Sequence, residues 1–241
     1  MSIISIADFS AGELKLTRNN SVDTDLQSYI DETEEKFLRL LLGDTLYIQF
    51  VAQLPTPTLQ KWTDLLNGYN YTVENENGEN ESVYFVGVKK MLRLFTWFNF
   101  VREQSFQNAI VGQVKGASQA SANASMEEIS RLIKTRYNKA IELYLSCYKF
   151  IYDNDEQTRT SASVVDNGGG SFTFNVSDTR YMVDGATVKI EGDEYTFSNI
   201  VTDTSFDITG ATGKSYSGAV SISYEIFDLW NFSKLNKIGI W

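Results

Sequence analysis

The chain has 241 residues, of which 42% are hydrophobic and 22% charged, and its formal net charge is -10 at pH 7; such a chain can bury a core and form one or two domains. It contains no histidine, which excludes serine and cysteine triads with a histidine base and removes the commonest zinc ligand. The acidic balance argues against a protein that binds nucleic acid by neutralising phosphates, although DNA can still slide past such a surface.

Residues 22–42 place apolar side chains at helical spacing on one side and acids on most of the other. This pattern predicts an amphipathic helix that Gly43 ends. A second helix is expected over residues 44–53. After two prolines, the segment TLQKWTDLLNG predicts a short third helix that closes at Gly68.

The segment YNYTVENENGENESVYFVG (69–87) contains two runs rich in Tyr and Val on either side of Asn-Gly. Asn-Gly between such runs is a strong signal for a β-hairpin with a tight turn. The acids and asparagines of this turn do not follow the spacing of a calcium loop, so a solvated tip without a metal is expected. The acids at the tip are Glu74, Glu76, Glu79 and Glu81.

The stretch KKMLRLFTWFNFVREQ (89–104) holds eight large apolar residues in sixteen positions. It could be a membrane segment, the wall of an aromatic ligand pocket or a helix buried in a bundle. A bilayer span needs about 20 mainly apolar residues, more than this charged stretch provides, so the pattern favours the buried helix. One stripe of that helix is polar and consists of Lys89, Arg93, Thr96, Asn99, Arg102 and Glu103.

Residues 105–125 are rich in Gly, Ala, Ser, Asn and Gln and lack a periodic apolar face, which predicts a long mobile loop. Residues 126–152 return to the helical period and predict another long helix. The single cysteine, Cys147, falls beside the apolar stripe of that helix, so a packed thiol is expected rather than a reactive one. One cysteine excludes an intrachain disulfide and fits a reducing compartment.

From about residue 154 the pattern changes to short alternating segments separated by Gly, Asp and Asn turns. The segments SFTFNV, ATVKIEG, EYTFSNIV, SFDIT and AVSISYEIF predict a small all-β sandwich or barrel over residues 160–226. The glycines of DNGGGS (166–171) lack the Gly-Lys-Ser/Thr ending of a phosphate loop and are expected to connect strands. Residues 228–241, DLWNFSKLNKIGIW, form an apolar end that is expected to pack against another surface.

Together these elements predict an α+β fold with three parts. Residues 1–153 are expected to form an N-terminal α-helical bundle with a β-hairpin, and residues 160–226 an inserted small all-β domain. Residues 228–241 would be an extended C-terminal arm that returns to the helical domain or reaches a neighbouring protein. No enzyme, cofactor or metal is expected, because carboxylate pairs lie on predicted solvent faces and catalytic motifs are missing. The N-terminus has no signal-peptide pattern.

The order of these elements along the chain is also similar to that of a known family. After the acidic first helix come LLGDTLYIQFV, LQKWTDLLNGYNY, VGVKKMLRLFTWFNFVRE, the Ser/Ala/Asn-rich loop and EEISRLIKTRYNKAIELY. This order resembles the head-tail connector (adaptor or head-completion) ring proteins of tailed bacteriophages, most closely the neck ring proteins of crAss-like phages. The resemblance covers residues 1–152 and the tail NFSKLNKIGIW, so the β-rich part between them looks like an insertion.

The resemblance implies a helical bundle that assembles as a homo-oligomeric ring, usually a dodecamer, beneath the portal protein. Such a ring extends the DNA channel toward the tail, does no chemistry, and is held by arms and loops that cross into neighbours. It implies a virion protein of the neck, or head-tail interface, that is assembled in the host cytoplasm. Its partners would be the portal and neighbouring tail or ring proteins, with DNA only passing through the channel and no membrane.

Two sets of residues become candidates in that setting. The arm would make interactions through Trp230, Phe232, Leu235, Ile238 and Trp241, and the channel-facing acids would be Glu74, Glu76, Glu79 and Glu81. The alternative is a surface binding module whose β domain recognises a glycan or receptor. Its stacking aromatics would be Tyr181, Tyr195, Phe197 and Tyr216, although the pattern favours a place in the core or on an ordinary surface for each of them.

Overall fold

The computed structural model describes residues 2–16, 20–74, 77–110 and 126–227. It has a mixed α+β fold, as predicted, with helices in the first part of the chain and antiparallel sheets in the second. The predicted arm and most of the predicted loop lie outside the described residues.

Within those ranges, the first part of the chain holds two 3-10 turns, four α-helices and a two-stranded hairpin. In chain order these are the turns Ile6–Phe9 and Gly12–Leu14, α1 Asn20–Ala52, α2 Gln60–Asn67, β1 Tyr69–Glu74, β2 Asn80–Phe85, α3 Val88–Ile110 and α4 Met126–Asp153. α1 is interrupted at Gly43, whose φ of 69° and ψ of 168° are not helical. The predicted stop at Gly43 and the new helix after it are therefore confirmed.

The loop after α3 was predicted to begin at residue 105, which is too early. α3 continues to Ile110, so the prediction of a loop is wrong for residues 105–110. The segment SFQNAI contains neither Gly nor Pro, and extending an existing helix adds one hydrogen bond for each residue fixed. Composition alone therefore misplaced the helix end, while residues 111–125 lie outside the described chain.

The described chain divides into two compact units. The first contains residues 2–56 and 64–149, and the second contains residues 57–63 and 150–227. The second unit thus takes in the segment before α2, the first residues of α2 and the end of α4, all of which the predicted domain boundaries assigned to the helical part.

The core of the first unit is built around α1 and α3. The ring of Phe37 on α1 stacks on that of Phe95 on α3, with centroids 3.7 Å apart and planes 8° from parallel. Tyr29 and Phe100 meet edge to face, with centroids 5.5 Å apart. Packing of such apolar faces supplies most of the stability of helices in proteins.

The polar stripe of α3 is partly covered by α1. Thr96 is 0% exposed, and Asn99 donates a hydrogen bond to Thr33 Oγ1 on α1 at 3.3 Å. The apolar side chains of α3 from Met91 to Trp97 are buried, which confirms the interpretation of this stretch as a buried helix. Of the helices described, none is long and apolar enough to cross a membrane.

α4 packs on both of these helices. The ring centroid of Tyr137 lies 6.0 Å from that of Phe95 and 4.6 Å from that of Phe98, both on α3. The Tyr144 hydroxyl donates a hydrogen bond to the backbone carbonyl of Leu40 on α1, at 3.0 Å. Burial raises the pKa of the Tyr144 hydroxyl, so this hydrogen bond is made by a neutral side chain at ordinary pH.

The second unit is a sandwich of two four-stranded antiparallel sheets. Its strands are β3 Glu156–Thr160, β4 Ser163–Gly168, β5 Ser171–Asn175, β6 Thr187–Ile190, β7 Asp193–Thr196, β8 Ser198–Val201, β9 Ser205–Ile208 and β10 Ser221–Glu225. The sheets have the orders β3-β10-β6-β7 and β4-β5-β9-β8. Phe197 links them, because its ring lies 4.8 Å from that of Phe206 in one sheet and 5.4 Å from that of Tyr224 in the other.

One predicted strand proves to be two. The segment EYTFSNIV breaks at Phe197, so that β7 pairs with β6 in one sheet and β8 pairs with β9 in the other. β3 and β4 were not among the predicted strands, because EQTRT and SVVDNG contain few large apolar residues. Gly169 and Gly170 of DNGGGS connect β4 to β5, as predicted, while Gly168 ends β4.

The chain enters and leaves the sandwich at one place. β3 and β10 are paired, with Glu156 opposite Glu225. The carboxylate of Asp155 accepts a hydrogen bond from the backbone N–H of Phe227 at 2.8 Å, and its carbonyl accepts one from Ile226 N–H at 2.6 Å. Ends that lie side by side are what an inserted domain requires.

The start of α2 belongs to the second unit and contacts it through Lys61 and Trp62. Lys61 Nζ donates a hydrogen bond to the Ile226 carbonyl at 2.6 Å and lies 4.8 Å from the centroid of the Trp62 ring. The rings of Trp62 and Phe150 both contact Phe227, with centroids 5.8 Å and 6.2 Å away. The last described residues of the sandwich are therefore held by side chains from α2 and from the end of α4.

Trp97→Ala is expected to lower the free energy of unfolding by about 3–5 kcal/mol, because it removes a large side chain from the core. Trp97 is 6% exposed, whereas Tyr84, the control position, is 72% exposed. Tyr84→Ala should change the stability by less than about 0.5 kcal/mol. Chemical denaturation followed by far-UV circular dichroism measures both variants, and equally small losses would contradict a buried role for Trp97.

Candidate interaction surface

The first residues of the chain form an N-terminal strap (residues 2–16) that contains the two 3-10 turns. Three of its side chains, Ile4, Phe9 and Leu14, are at most 4% exposed. These anchors follow no helical or strand period, so hydrophobic patterning does not reveal them. The strap is thus a structured part of the first unit that the sequence did not predict.

Glu34 of α1 fixes the start of the strap. Its buried carboxylate accepts hydrogen bonds from the backbone N–H groups of Ile3 and Ile4, at 2.8 Å and 2.7 Å, and from the Ser2 hydroxyl at 2.9 Å. Burial raises the pKa of Glu34 above its usual value, while these hydrogen bonds to the charged form act in the opposite direction. One side chain of α1 therefore holds three successive residues of the strap.

Cations from α3 and α4 hold the rest of the strap. Arg93 of α3 donates a hydrogen bond to the Asp8 carbonyl at 2.9 Å. Glu13 forms ion pairs with Arg136 at 2.7 Å and with Lys139 at 3.4 Å, both on α4. The hydrogen bond from Arg136 holds the pKa of the Glu13 carboxyl below its usual value. The strap consequently bridges α1, α3 and α4.

A groove of about 230 Å³ opens where the strap meets the end of α2 and the start of α3. Its charged lining residues are Glu13, Lys89, Lys90 and Arg93, of which Glu13 is already paired with the two α4 cations. Lys89 donates a hydrogen bond to Asn67 Oδ1 at 3.1 Å, whereas the exposed Lys90 has no partner among the described residues. We call this feature the basic groove, and it is a local exception in a chain of net charge -10.

A second cleft, of about 430 Å³, lies between α1 and α3. Two acids, Glu32 and Glu103, and two cations, Lys36 and Arg102, line it. Because these charges balance, the second cleft has no preference for a charged partner, in contrast to the basic groove.

The β-hairpin beside the basic groove is exposed along one whole face. β1 and β2 pair in regular register, from Tyr69 opposite Phe85 to Glu74 opposite Asn80. Among the residues described, the two strands form a sheet of their own, so their outer edges can accept another chain. Tyr71 and Phe85 are buried on one face, and the exposed face carries Asn70, Thr72, Glu74, Asn80, Ser82 and Tyr84.

Two glycines set the base of the hairpin. Gly68 follows α2 and Gly87 precedes α3, with φ values of 93° and 79°. A Cβ atom at Gly87 would lie 2.6 Å from the Gly68 nitrogen and 2.6 Å from the Leu66 carbonyl oxygen. A side chain does not fit this close approach of two backbones, which keeps the hairpin next to the basic groove.

Three of the four predicted hairpin acids lie on the described surface. Glu74, Glu79 and Glu81 are exposed, as a solvated tip requires. Glu76 lies outside the described residues. The predicted interaction residues of the arm also lie outside them, namely Trp230, Phe232, Leu235, Ile238 and Trp241.

The aromatic residues considered for sugar stacking belong mostly to the sandwich core. Tyr181, Phe197 and Tyr216 are at most 7% exposed, and the Tyr216 ring packs edge to face on that of Phe172. Tyr195 is half-buried, with its hydroxyl 2.9 Å from that of Tyr216. The rings of Tyr181, Phe197 and Tyr216 thus belong to the core, as the sequence favoured, and Tyr195 is the one of the four that is partly exposed.

The described residues contain no group of three or more Cys, Asp or Glu side chains that could hold a metal ion. Cys147 is 0% exposed, with its Sγ atom 3.9 Å from Met91 Sδ. Burial raises the pKa of the Cys147 thiol, which keeps it in the poorly nucleophilic neutral form. The predicted packed thiol is confirmed.

The basic groove was missed because its parts are distant in the sequence. It brings together Glu13 of the strap, Asn67 at the end of α2 and the two lysines at the start of α3. One signal was present in the sequence. Lys89 and Lys90 are its only adjacent lysines, and one residue separates them from the predicted hairpin. Their contribution to a groove depends on the strap, which patterning did not reveal.

Over residues 38–167, more than half of its length, the chain matches a family of unknown function, DUF6712. The chain belongs to this family. The matched region begins within α1 and ends in β4, so it contains the hairpin and the α2 and α3 sides of the basic groove. No curated protein matches this DUF6712 chain.

In this DUF6712 protein, Glu34→Ala is expected to lower the free energy of unfolding by about 1–3 kcal/mol, because backbone N–H groups of the strap lose their acceptor. Glu34→Gln keeps an acceptor oxygen and should lose less. The raised pKa of Glu34 means that the native state binds this proton more tightly than the unfolded chain does. The contribution of Glu34 to stability therefore falls as the pH rises from the pKa of an ordinary carboxyl group through the raised pKa of the folded state.

Urea denaturation of the wild type and both variants at several pH values measures these effects. The glutamine variant should lack the Glu34 part of the pH dependence. A wild type and a glutamine variant with the same pH profile would contradict the assignment, as would an alanine variant of wild-type stability.

Gly87→Ala is expected to destabilise the first unit more than Gly78→Ala, which serves as the matched control. Both glycines have a positive φ, 79° and 77°, but a Cβ atom at Gly78 would meet only the flexible Glu74 side chain, at 3.5 Å. The control should therefore cost about 1–2 kcal/mol from backbone strain alone, and Gly87→Ala more. Thermal unfolding compares the two, and equal losses would show that the backbone approach at the hairpin base is not restrictive.

Proposed function

We propose that the chain is a structural protein of a tailed-phage virion that forms a ring in the neck, connects the portal to the tail and extends the DNA channel. The observation that carries this proposal is the order of elements in the helical unit: kinked α1, short α2, hairpin, α3 and α4. This is the order on which the resemblance to head-tail connector proteins depends. Its partners would be further copies of itself, the portal protein and adjacent tail or ring proteins.

The charge of the chain suits a channel wall. Twelve copies with a net charge of -10 each would bring about 120 negative charges to one ring, and a wall of the same sign as DNA lets the duplex slide without binding. The exposed hairpin acids Glu74, Glu79 and Glu81 are the candidates for this wall among the described residues. DNA then passes through the channel and is not bound as a ligand.

The sandwich would be an insertion in the connector bundle. Its first and last strands, β3 and β10, are paired side by side, as an inserted domain requires. The segment that follows, residues 228–241, is rich in aromatic and aliphatic side chains and would contact the helical domain or a neighbouring protein. Stacking on a glycan by the sandwich has weaker support, since three of its four candidate aromatics are buried.

The full chain is expected to form ring-sized oligomers or to bind tightly to a portal or neighbouring ring protein. Multi-angle light scattering and cross-linking of intact particles measure these properties. A strict monomer together with cross-links that place the chain away from the neck would contradict the proposal.

Deletion of residues 228–241 is expected to leave both units folded and to abolish assembly, because the apolar arm would supply contacts between subunits. Circular dichroism checks the fold, and light scattering measures the oligomer. Unchanged assembly of the truncated chain would show that the arm packs only within its own subunit.

A further inference from the structure

We propose that the acidic β-hairpin of one copy docks onto the basic groove of the neighbouring copy. This inference rests on the proposed function, since it requires copies that lie side by side in a ring, and it names the contact that joins them. The occupant of the groove is a second copy of this chain, because one sequence carries both the cationic groove and an exposed acidic projection that complements it.

The basic groove offers cationic groups that the described part of its own subunit leaves available. Lys90 is exposed and has no partner among the described residues, and Lys89 makes an exposed hydrogen bond to the neutral Asn67. Glu13, the acid in the groove, is already paired with two cations of α4. The groove therefore attracts carboxylates that come from outside the subunit.

The hairpin supplies such carboxylates together with an aromatic contact. Glu74 and Glu81 are exposed and have no partners in the part of the chain that the structure describes. Tyr84 is 72% exposed on the same face as Glu74. Tyrosine is enriched in protein interfaces, where its ring gives a large contact area at a low cost in conformational entropy.

The hairpin cannot place its tip in the groove of its own copy. Its register has no bulge, so six residues per strand, at about 3.3 Å each, carry the tip about 20 Å from the base. The base at Gly68 and Gly87 adjoins Asn67 and Val86, which line the groove. Because about 20 Å exceeds the Debye length of about 8 Å at physiological ionic strength, the tip and its own groove attract each other little.

A contact between two different surfaces of one chain is heterologous, and its repetition closes into a ring when the rotation between copies permits. The hairpin and the groove are two such surfaces within a single helical unit. Glu74 and Glu81 lie on opposite faces of the hairpin near its tip, so a groove that receives the tip contacts both. The channel-facing role is then narrowed to the remaining acids of the tip.

A charge-swap experiment on the full chain tests this contact. One variant carries Glu74→Lys and Glu81→Lys, and the other carries Lys89→Glu and Lys90→Glu. Each variant alone should self-associate roughly tenfold more weakly than the wild type or worse, because attractive pairs become repulsive. Light scattering measures association, and circular dichroism verifies that each variant is folded.

An equimolar mixture of the two variants should assemble again. The hairpin lysines of the first variant meet the groove glutamates of the second, and the unchanged hairpin of the second meets the unchanged groove of the first. The control variant, Glu127→Lys with Glu142→Lys, alters two exposed acids of α4 and should assemble like the wild type. Association of the wild type should weaken as salt is added.

The docking contact would be overturned by single variants that assemble like the wild type, or by a mixture of folded variants that does not assemble. Neither result would contradict the proposed ring in the neck. A wild type that stays monomeric at low salt would also overturn the docking contact. The location of the chain in intact particles decides the neck role separately, so the two failures can be told apart.

Discussion

The stacking of Phe37 on Phe95 is the contact on which the helical unit depends, because it fixes α1 against α3. Glu34 lies one turn before Phe37, and Arg93 lies two residues before Phe95, so the two helices that stack also present the residues that hold the strap. The strap in turn forms one wall of the basic groove. A shift of α1 along α3 would therefore disturb the strap and the groove together.

The helices and the hairpin could be predicted because their signals are local. Apolar residues at the helical period mark α1, α3 and α4, and Gly43 interrupts α1 where the backbone needs a positive φ. The Asn-Gly pair between Tyr-rich and Val-rich runs marks the hairpin. The burial of Cys147 follows from its position beside the apolar stripe of α4, which is also a local feature.

The remaining features depend on partners that are distant in the sequence. Phe197 ends one strand and begins another because both sheets need its ring, and no property of EYTFSNIV shows this. Lys61 and Trp62 belong to the second unit because Phe227 packs beside them. The basic groove requires the strap, whose anchor Glu34 is a buried acid that patterning assigns to solvent.

In the proposed role, the function of the chain lies in the surfaces that the helical unit holds in place, an acidic hairpin and a basic groove, and not in chemistry at a site. The most direct test is a cryo-electron microscopy map of intact particles in which this chain is located. A ring of this chain between the portal and the tail is the predicted result. Density for the chain in the capsid shell or in a receptor-binding fibre, and none at the neck, would contradict it.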